Sequence, residues 1–156
     1  MLTQDFADIM TCLNQQNANY VLVGAFAMAH FGYRRATGDI DLFVEPTSEN
    51  SHRVIQALRD FGAPLDAHGV DRDYFASKGN FYQIGVPPSR VDIITEISGV
   101  TFTEAKMHAV GAQLAGIQVT VLSLNLLIQN KKASGRAKDL VDVAELEKIL
   151  QQEKTR

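Results

Sequence analysis

The sequence predicts an α/β protein of the α+β kind: a short mixed β-sheet packed against helices, with a helical C-terminal segment over about residues 123–152. Helix and strand patterns alternate along the chain, yet without the strict βαβ rhythm of a doubly wound sheet. Over the last third only helical patterning remains. At 156 residues of ordinary composition the chain can bury a core without disulfides or a structural metal, so residues 1–156 are assigned to a single domain.

Leu2, Phe6, Ile9, Met10 and Leu13 recur at helical spacing and predict an opening amphipathic helix. After the polar break NAN, Tyr20 to Val23 form a short apolar strand. Gly24 ends it, and AFAMAHF continues as a small-residue helix to the break at Gly32. GYRRATGD is a polar loop carrying Arg34 and Arg35. From Asp39 to Val44 the side chains alternate, with Ile40, Leu42 and Val44 on one face and Asp39, Asp41 and Phe43 on the other. Pro46 stops this strand. Thr47 or Ser48 then caps a helix whose Val54, Ile55, Leu58 and Phe61 make the buried stripe.

Residues 62–79 are rich in Gly, Asp and small residues, and a short helix is expected around Asp71 to Ala76. NFYQIGVPPSRVDIITEI reads as two strands joined by a turn at Pro87-Pro88-Ser89. GAQLAGIQVTVLSL suggests another strand pair turning near Gly116. Ser123 to Ser134 and Ala137 to about Gln152 are helices separated by Gly135. The second presents Leu140, Val143, Leu146, Ile149 and Leu150 as its apolar face.

Composition excludes several classes of function. A net charge of −3 argues against binding nucleic acid through bulk charge, though not against a local basic patch. The one cysteine, Cys12, cannot form an internal disulfide and reads as a small core residue in a reducing compartment. The acidic start MLTQDFADIM is no signal peptide, and no stretch has the length of a membrane span, so the expected location is cytoplasmic, with no membrane partner. His30, His52, His68 and His108 lack zinc spacing, and His30 reads as a packed or hydrogen-bonded core residue.

The chemistry concentrates in ATGDIDLFVEP. Asp39 and Asp41 share one face of one strand, within apolar surroundings where paired ionised carboxylates are costly. Divalent cations resolve that cost; magnesium takes one or two carboxylates together with substrate phosphates. Asp92, between Val91 and Ile93, is a third acid in similar surroundings. If its strand lies beside that of Asp39, three carboxylates converge, enough to hold two magnesium ions for in-line phosphoryl or nucleotidyl displacement. A lone acid in a strand is as often one end of a salt bridge. For Asp92 both readings stay open, and a structural network of the three acids with Arg35 and Arg90 is the plainest alternative.

Upstream, YVLVGAFAMAH is strand, glycine, helix, and a helix N-terminus suits a phosphate. Near the C-terminus, NKKASGRAKDLVD gathers Lys131, Lys132, Arg136 and Lys138. Lys131 and Arg136 are candidates to neutralise a triphosphate, with Asp139 orienting either one. Lys132 and Lys138 read as solvated, and Asp142 as a local cap or pair.

Taken in order, VGAFAMAHFGYRRATGDIDLFV, RVDII and LIQNKKASGRAKDLVDVAEL resemble the minimal nucleotidyltransferases of the DNA polymerase β superfamily, and within it the AbiEii-type group, many of which are toxins of toxin–antitoxin pairs. The resemblance covers about Tyr20 to the end, apart from residues near 62–79. It implies a nucleotidyltransferase-like fold, two Mg2+ ions and a nucleoside triphosphate as co-substrate. By position, Asp39 and Asp41 would hold the metals, and Asp92 would complete the one that activates the acceptor hydroxyl. Gly24 and Ala25 would offer amides to the triphosphate, and Lys131, Arg136 and Asp139 would form the C-terminal phosphate-contacting set. The acceptor would be an RNA end or a protein, and a cognate antitoxin would be a partner. A small-molecule, antibiotic-type transferase and a non-catalytic nucleotide- or partner-binding module are the alternatives. One departure stands out: the family's turn usually reads Gly-Ser or Gly-Gly, whereas here it reads Gly24-Ala25, and alanine would be strained if the second position required positive φ.

Overall fold

The computed structural model describes residues 2–155. Its elements follow the order α1 (Gln4–Gln15), β1 (Tyr20–Val23), α2 (Gly24–His30), β2 (Asp39–Val44), α3 (Ser48–Phe61), β3 (Phe81–Ile84), β4 (Arg90–Ile94), α4 (Phe102–Met107), β5 (Val110–Leu114), β6 (Ile117–Val121), α5 (Leu124–Ser134) and α6 (Ala137–Lys154). The strands form one six-stranded sheet in the order β3-β4-β2-β1-β6-β5. It is mixed, as expected: β2/β4 and β1/β6 run parallel, while β1/β2, β3/β4 and β5/β6 run antiparallel.

Of the predicted α1 stripe, Phe6, Ile9, Met10 and Leu13 have no exposed surface, while Leu2 precedes the helix and is half-buried; α1 packs against α3 and β6. Thr3 and Thr47 cap α1 and α3 by accepting from the amides of Phe6 and Asn50. In β1 every residue is buried, which fits an interior strand with apolar residues throughout. The β5–β6 hairpin turns through Ala115 and Gly116, both at positive φ (50° and 79°), the combination that matches the twist of two antiparallel strands.

Several expectations fail for identifiable reasons. Asp71 to Ala76 form turns, not a helix. Asp71 accepts from the Asp73 amide, while Ser51 Oγ donates to Arg72 O and accepts from the Phe75 amide, so side chains take the bonds a helical ladder would need. The short helix α4 was not anticipated, although Thr101 and Glu104 form a reciprocal capping box whose T-x-x-E spacing is visible in the sequence. Leu140 is exposed, and α6 turns Asp139 and Asp142 inward with Val143 and Leu146, leaving Ile149 and Leu150 half-buried. His30 is exposed, edge-on to Phe31, because α2 buries Ala27 and Met28 instead. Phe61 and Cys12 are half-buried against the core rather than within it.

Candidate active site

The parallel register of β2 on β4 sets Asp41 opposite Asp92 and Asp39 opposite Arg90. Because alternate residues of a strand share a face, all four side chains rise from the same side of the sheet. One carboxylate oxygen from each of Asp39, Asp41 and Asp92 lies within 4.8 Å of the others. Arg90 stands among them: Nη2 donates to Asp39 Oδ2 at 2.8 Å, and Nε donates to Asp92 Oδ1 at 3.1 Å. Thr37 Oγ1 donates to Asp39 Oδ1 at 3.0 Å. The alternative ion-pair network is therefore half present. Arg90 bridges Asp39 and Asp92, but Arg35 turns elsewhere and, among the described residues, no basic side chain hydrogen-bonds Asp41.

The electrostatics follow from that arrangement. Burial, then the charges of Asp39 and Asp92, then a hydrogen bond shared with Asp92, push the Asp41 carboxyl up to about 7. Burial also raises Asp92, an effect the Arg90 guanidinium opposes. An all-oxygen, anionic donor set, with one carboxylate that no basic side chain hydrogen-bonds among the described residues, fits a hard divalent cation such as magnesium.

Gly24 stands directly against this cluster. It sits at φ +72°, and a Cβ there would collide with Asp41 Oδ2, so both conformation and space demand glycine. Among the described residues, positive φ outside glycine occurs only at Asn17 and Ala115, so Ala25 is unstrained and the expected difficulty does not arise. The N-cap of α2, Val23, makes no side-chain cap bond, and the first amides of the helix lack that partner.

The C-terminal residues form a second charged cluster, linking α5 to α6. Lys131 is buried, with Nζ 3.2 Å from both Asp139 Oδ1 and Asp142 Oδ2. Ser134 Oγ and Arg136 Nε donate to Asp139 Oδ2 at 2.5 and 2.7 Å. Burial alone would raise Asp139, but the bonds from Ser134, Arg136 and Lys131 outweigh it and hold the carboxyl at about 2. Asp142 is no local cap. Fully buried, it accepts from Arg35 Nη1 at 2.8 Å and Tyr33 Oη at 3.1 Å, tying α6 to the loop before β2. Sequence reasoning missed this role of Asp142, Arg35 and Tyr33; its available signal was that Asp142 lies one helical turn beyond Asp139.

A polar cavity of about 660 Å³ brings the predicted residues together. Gly24, Ala25, Asp39, Asp41, Lys131 and Arg136 all line it, with Lys138, read earlier as merely solvated, also in the lining. Lys132 does stay outside, paired with Glu147 at 2.8 Å. Asp92 stands beside Asp41 on β4, and Asp139 lines an adjoining cavity of about 240 Å³.

A short mixed sheet with two acids on one strand, a third on its parallel neighbour and a strand–glycine–helix turn against them has the architecture of a nucleotidyltransferase. The family model described as the nucleotidyl transferase AbiEii toxin of type IV toxin–antitoxin systems matches residues 8–155, and the chain belongs to that family of nucleotidyltransferases. No curated protein matches the sequence. Among solved structures, a candidate nucleotidyltransferase from Thermotoga maritima is similar in fold, with a TM-score of 0.58 and 16% identity over 96% of this chain and 91% of that one.

Proposed function

We propose that the protein transfers a nucleoside monophosphate from a nucleoside triphosphate to a hydroxyl on an RNA end or a protein, as the toxin of a toxin–antitoxin pair with a cognate antitoxin. The observation that carries this reading is the meeting of Asp39, Asp41 and Asp92 within 4.8 Å, with no basic side chain hydrogen-bonded to Asp41 among the described residues. Asp39, Asp41 and Asp92 would hold two magnesium ions, which when bound would help deprotonate the acceptor hydroxyl and neutralise charge on the phosphates. Gly24 and Ala25 would present amides at the start of α2, and Lys131 and Arg136, which line the same cavity, would seat the β- and γ-phosphates. Asp139 orients Lys131 and Arg136 by accepting from both. The acceptor oxygen attacks the α-phosphorus in line, its bond to phosphorus forms as the bond to pyrophosphate breaks, and positioning supplies much of the rate.

The exposed rim cations Arg35, Arg136 and Lys138 favour a polyanionic acceptor, and so an RNA end over a protein. No helix among the described residues is long and apolar enough to cross a membrane. The test is a transfer assay with labelled nucleoside triphosphates and magnesium against total RNA, protein and aminoglycosides. Labelled RNA or protein is expected, and Asp41→Asn should lose transfer while keeping the wild-type circular dichroism spectrum. Retained transfer by that variant, with unchanged metal dependence, would sink the assignment; labelling of aminoglycosides alone would move the enzyme to the antibiotic-type class.

A further inference from the structure

We propose that Arg90 is an exchangeable counter-ion: it holds Asp39 and Asp92 in the metal-free protein, gives them up to a divalent cation, and is then the cation that β4 offers to the triphosphate. The inference rests on the nucleotidyltransferase reading and adds a coupling between metal and phosphate binding at that site. The bonds of the cluster carry the argument. Arg90 grips Asp92 with its fork, Nε on Oδ1 at 3.1 Å and Nη2 on Oδ2 at 3.2 Å, and Nη2 also reaches Asp39 Oδ2 at 2.8 Å. Thr37 Oγ1 takes the remaining oxygen of Asp39. Every carboxylate oxygen of these two acids therefore already accepts a donor, and three of the four accept from one side chain. A hard divalent cation seated among the three acids needs the same oxygens.

Charge sharpens the competition. Three ionised carboxylates and one guanidinium leave a formal charge of −2, which one divalent ion cancels and a second reverses. A unit charge at this range changes a carboxylate's affinity for a proton by about 10–1,000-fold, and a divalent cation feels it more strongly. Arg90 is also free to move where its neighbours are not. Its side chain is 31% exposed, and it lines the polar cavity assigned to the phosphates. Arg35, Lys131 and Arg136 line that cavity too, but they are held by Asp139 or Asp142, acids outside the triad, so metal binding leaves them in place. Among the described residues, Arg90 alone forms ion pairs with the triad. Loss of those pairs to a metal turns its five donors toward the cavity, where a phosphate accepts them in the same forked geometry.

The test is titration of the full chain at pH 8 with Mn2+ alone, the free ion being read by electron paramagnetic resonance. Arg90→Gln, which loses the charge, should bind Mn2+ tighter by about 10-fold or more, whereas Arg90→Lys, which keeps it, should stay near the wild type. With Mn2+ saturating, calorimetry should show inorganic tripolyphosphate binding Arg90→Gln about 10–100-fold more weakly than the wild type. The wild-type chain gives a reading that decides the matter even if Arg90→Gln does not fold. In nitrogen-15 NMR the Arg90 Nε–H, assigned by its loss in Arg90→Lys, should be protected from exchange without metal and released by Mg2+. An Nε–H that stays protected in saturating Mg2+ would overturn the proposal. So would Mn2+ affinity left unchanged or weakened by Arg90→Gln, because Arg90 would then orient the acids for metal instead of competing with it. Equal tightening in Arg90→Lys, or tripolyphosphate binding that ignores Arg90→Gln, would also overturn it. These outcomes leave the nucleotidyltransferase reading standing; failure of the wild type to bind Mn2+ with or without tripolyphosphate removes both.

Discussion

At the scale of single residues, Arg90 donates to Asp39 and Asp92 and so compensates two of the three acids, while Asp41 faces both without a basic donor. Burial and those neighbouring charges hold its carboxyl near 7, so the metal-free native state keeps a proton that the unfolded chain releases near 3.8. The stability linked to that proton is fully present below 3.8 and is lost as pH rises through about 7. Asp41→Asn removes the ionisation. With a chelator present, it should raise urea-unfolding stability at pH 8 by about 1–3 kcal/mol and change it little at pH 4. A structural ion-pair network makes the opposite prediction, a loss at pH 8, and observing that loss would remove the argument for a metal. Because a divalent cation must displace the same proton, metal affinity in calorimetry should climb with pH up to about 7 and then level off.

Between elements, α5 and α6 are joined by charge: Lys131 sits between Asp139 and Asp142, all three buried. Lys131→Met would leave two buried acids without their shared cation and should cost about 3–5 kcal/mol in urea unfolding. Arg136 has a largely exposed side chain, so Arg136→Ala should cost under about 1 kcal/mol while still weakening triphosphate binding. Equal losses from the two variants would contradict this division of labour. Asp139, held at about 2, contributes stability that is present above 3.8 and lost as pH falls toward 2, so Asp139→Asn should flatten the acid limb of the unfolding curve. The same seam shows where sequence reading stops. β1, β2 and β4 were legible because their apolar residues and alternation are local properties, and from them came Asp39, Asp41 and Asp92. On α6, hydropathy placed Leu140 on the apolar face and Asp142 was read as a local cap or pair, whereas Leu140 is exposed and Asp142 is buried against Lys131; a lysine–aspartate pairing across two helices leaves no periodic trace. Arg90 was legible as one of two candidate partners for the acids, but that it, and not Arg35, bridges Asp39 and Asp92 depends on the register of β2 against β4. The role of Gly24 was legible as a turn but not as clearance for Asp41, which only the packed structure reveals.

For the whole molecule, the proposed site draws on distant parts of the chain: the β1–α2 turn, the parallel pair β2 and β4, and the α5–α6 junction. We propose that these parts make up a single domain that unfolds as one unit. The C-terminal helices are fastened to the sheet body by Tyr33 and Arg35 on Asp142, by Gln129 on Gly99 and by Asn130 on Ser98. Hydrophobic packing adds to these bonds, since Leu124, Leu126, Leu127 and Ile128 of α5 belong to the same buried cluster as β1 and β2. Helices held in this way cannot separate without exposing that cluster and stranding Asp142. Far-ultraviolet circular dichroism, reporting the helices, and near-ultraviolet signals from tyrosines such as Tyr20 and Tyr82 in the body should therefore give one coincident urea transition. Magnesium with a bound nucleotide should move both probes together, by about 2.7 kcal/mol at a ligand concentration one hundred times Kd, because the ligand would bridge β2 and α5. Helical signal lost ahead of the tyrosine signal would show the C-terminal helices to be a separate unit, and a ligand shift confined to one probe would show that phosphate and metal are not held by the same folded body.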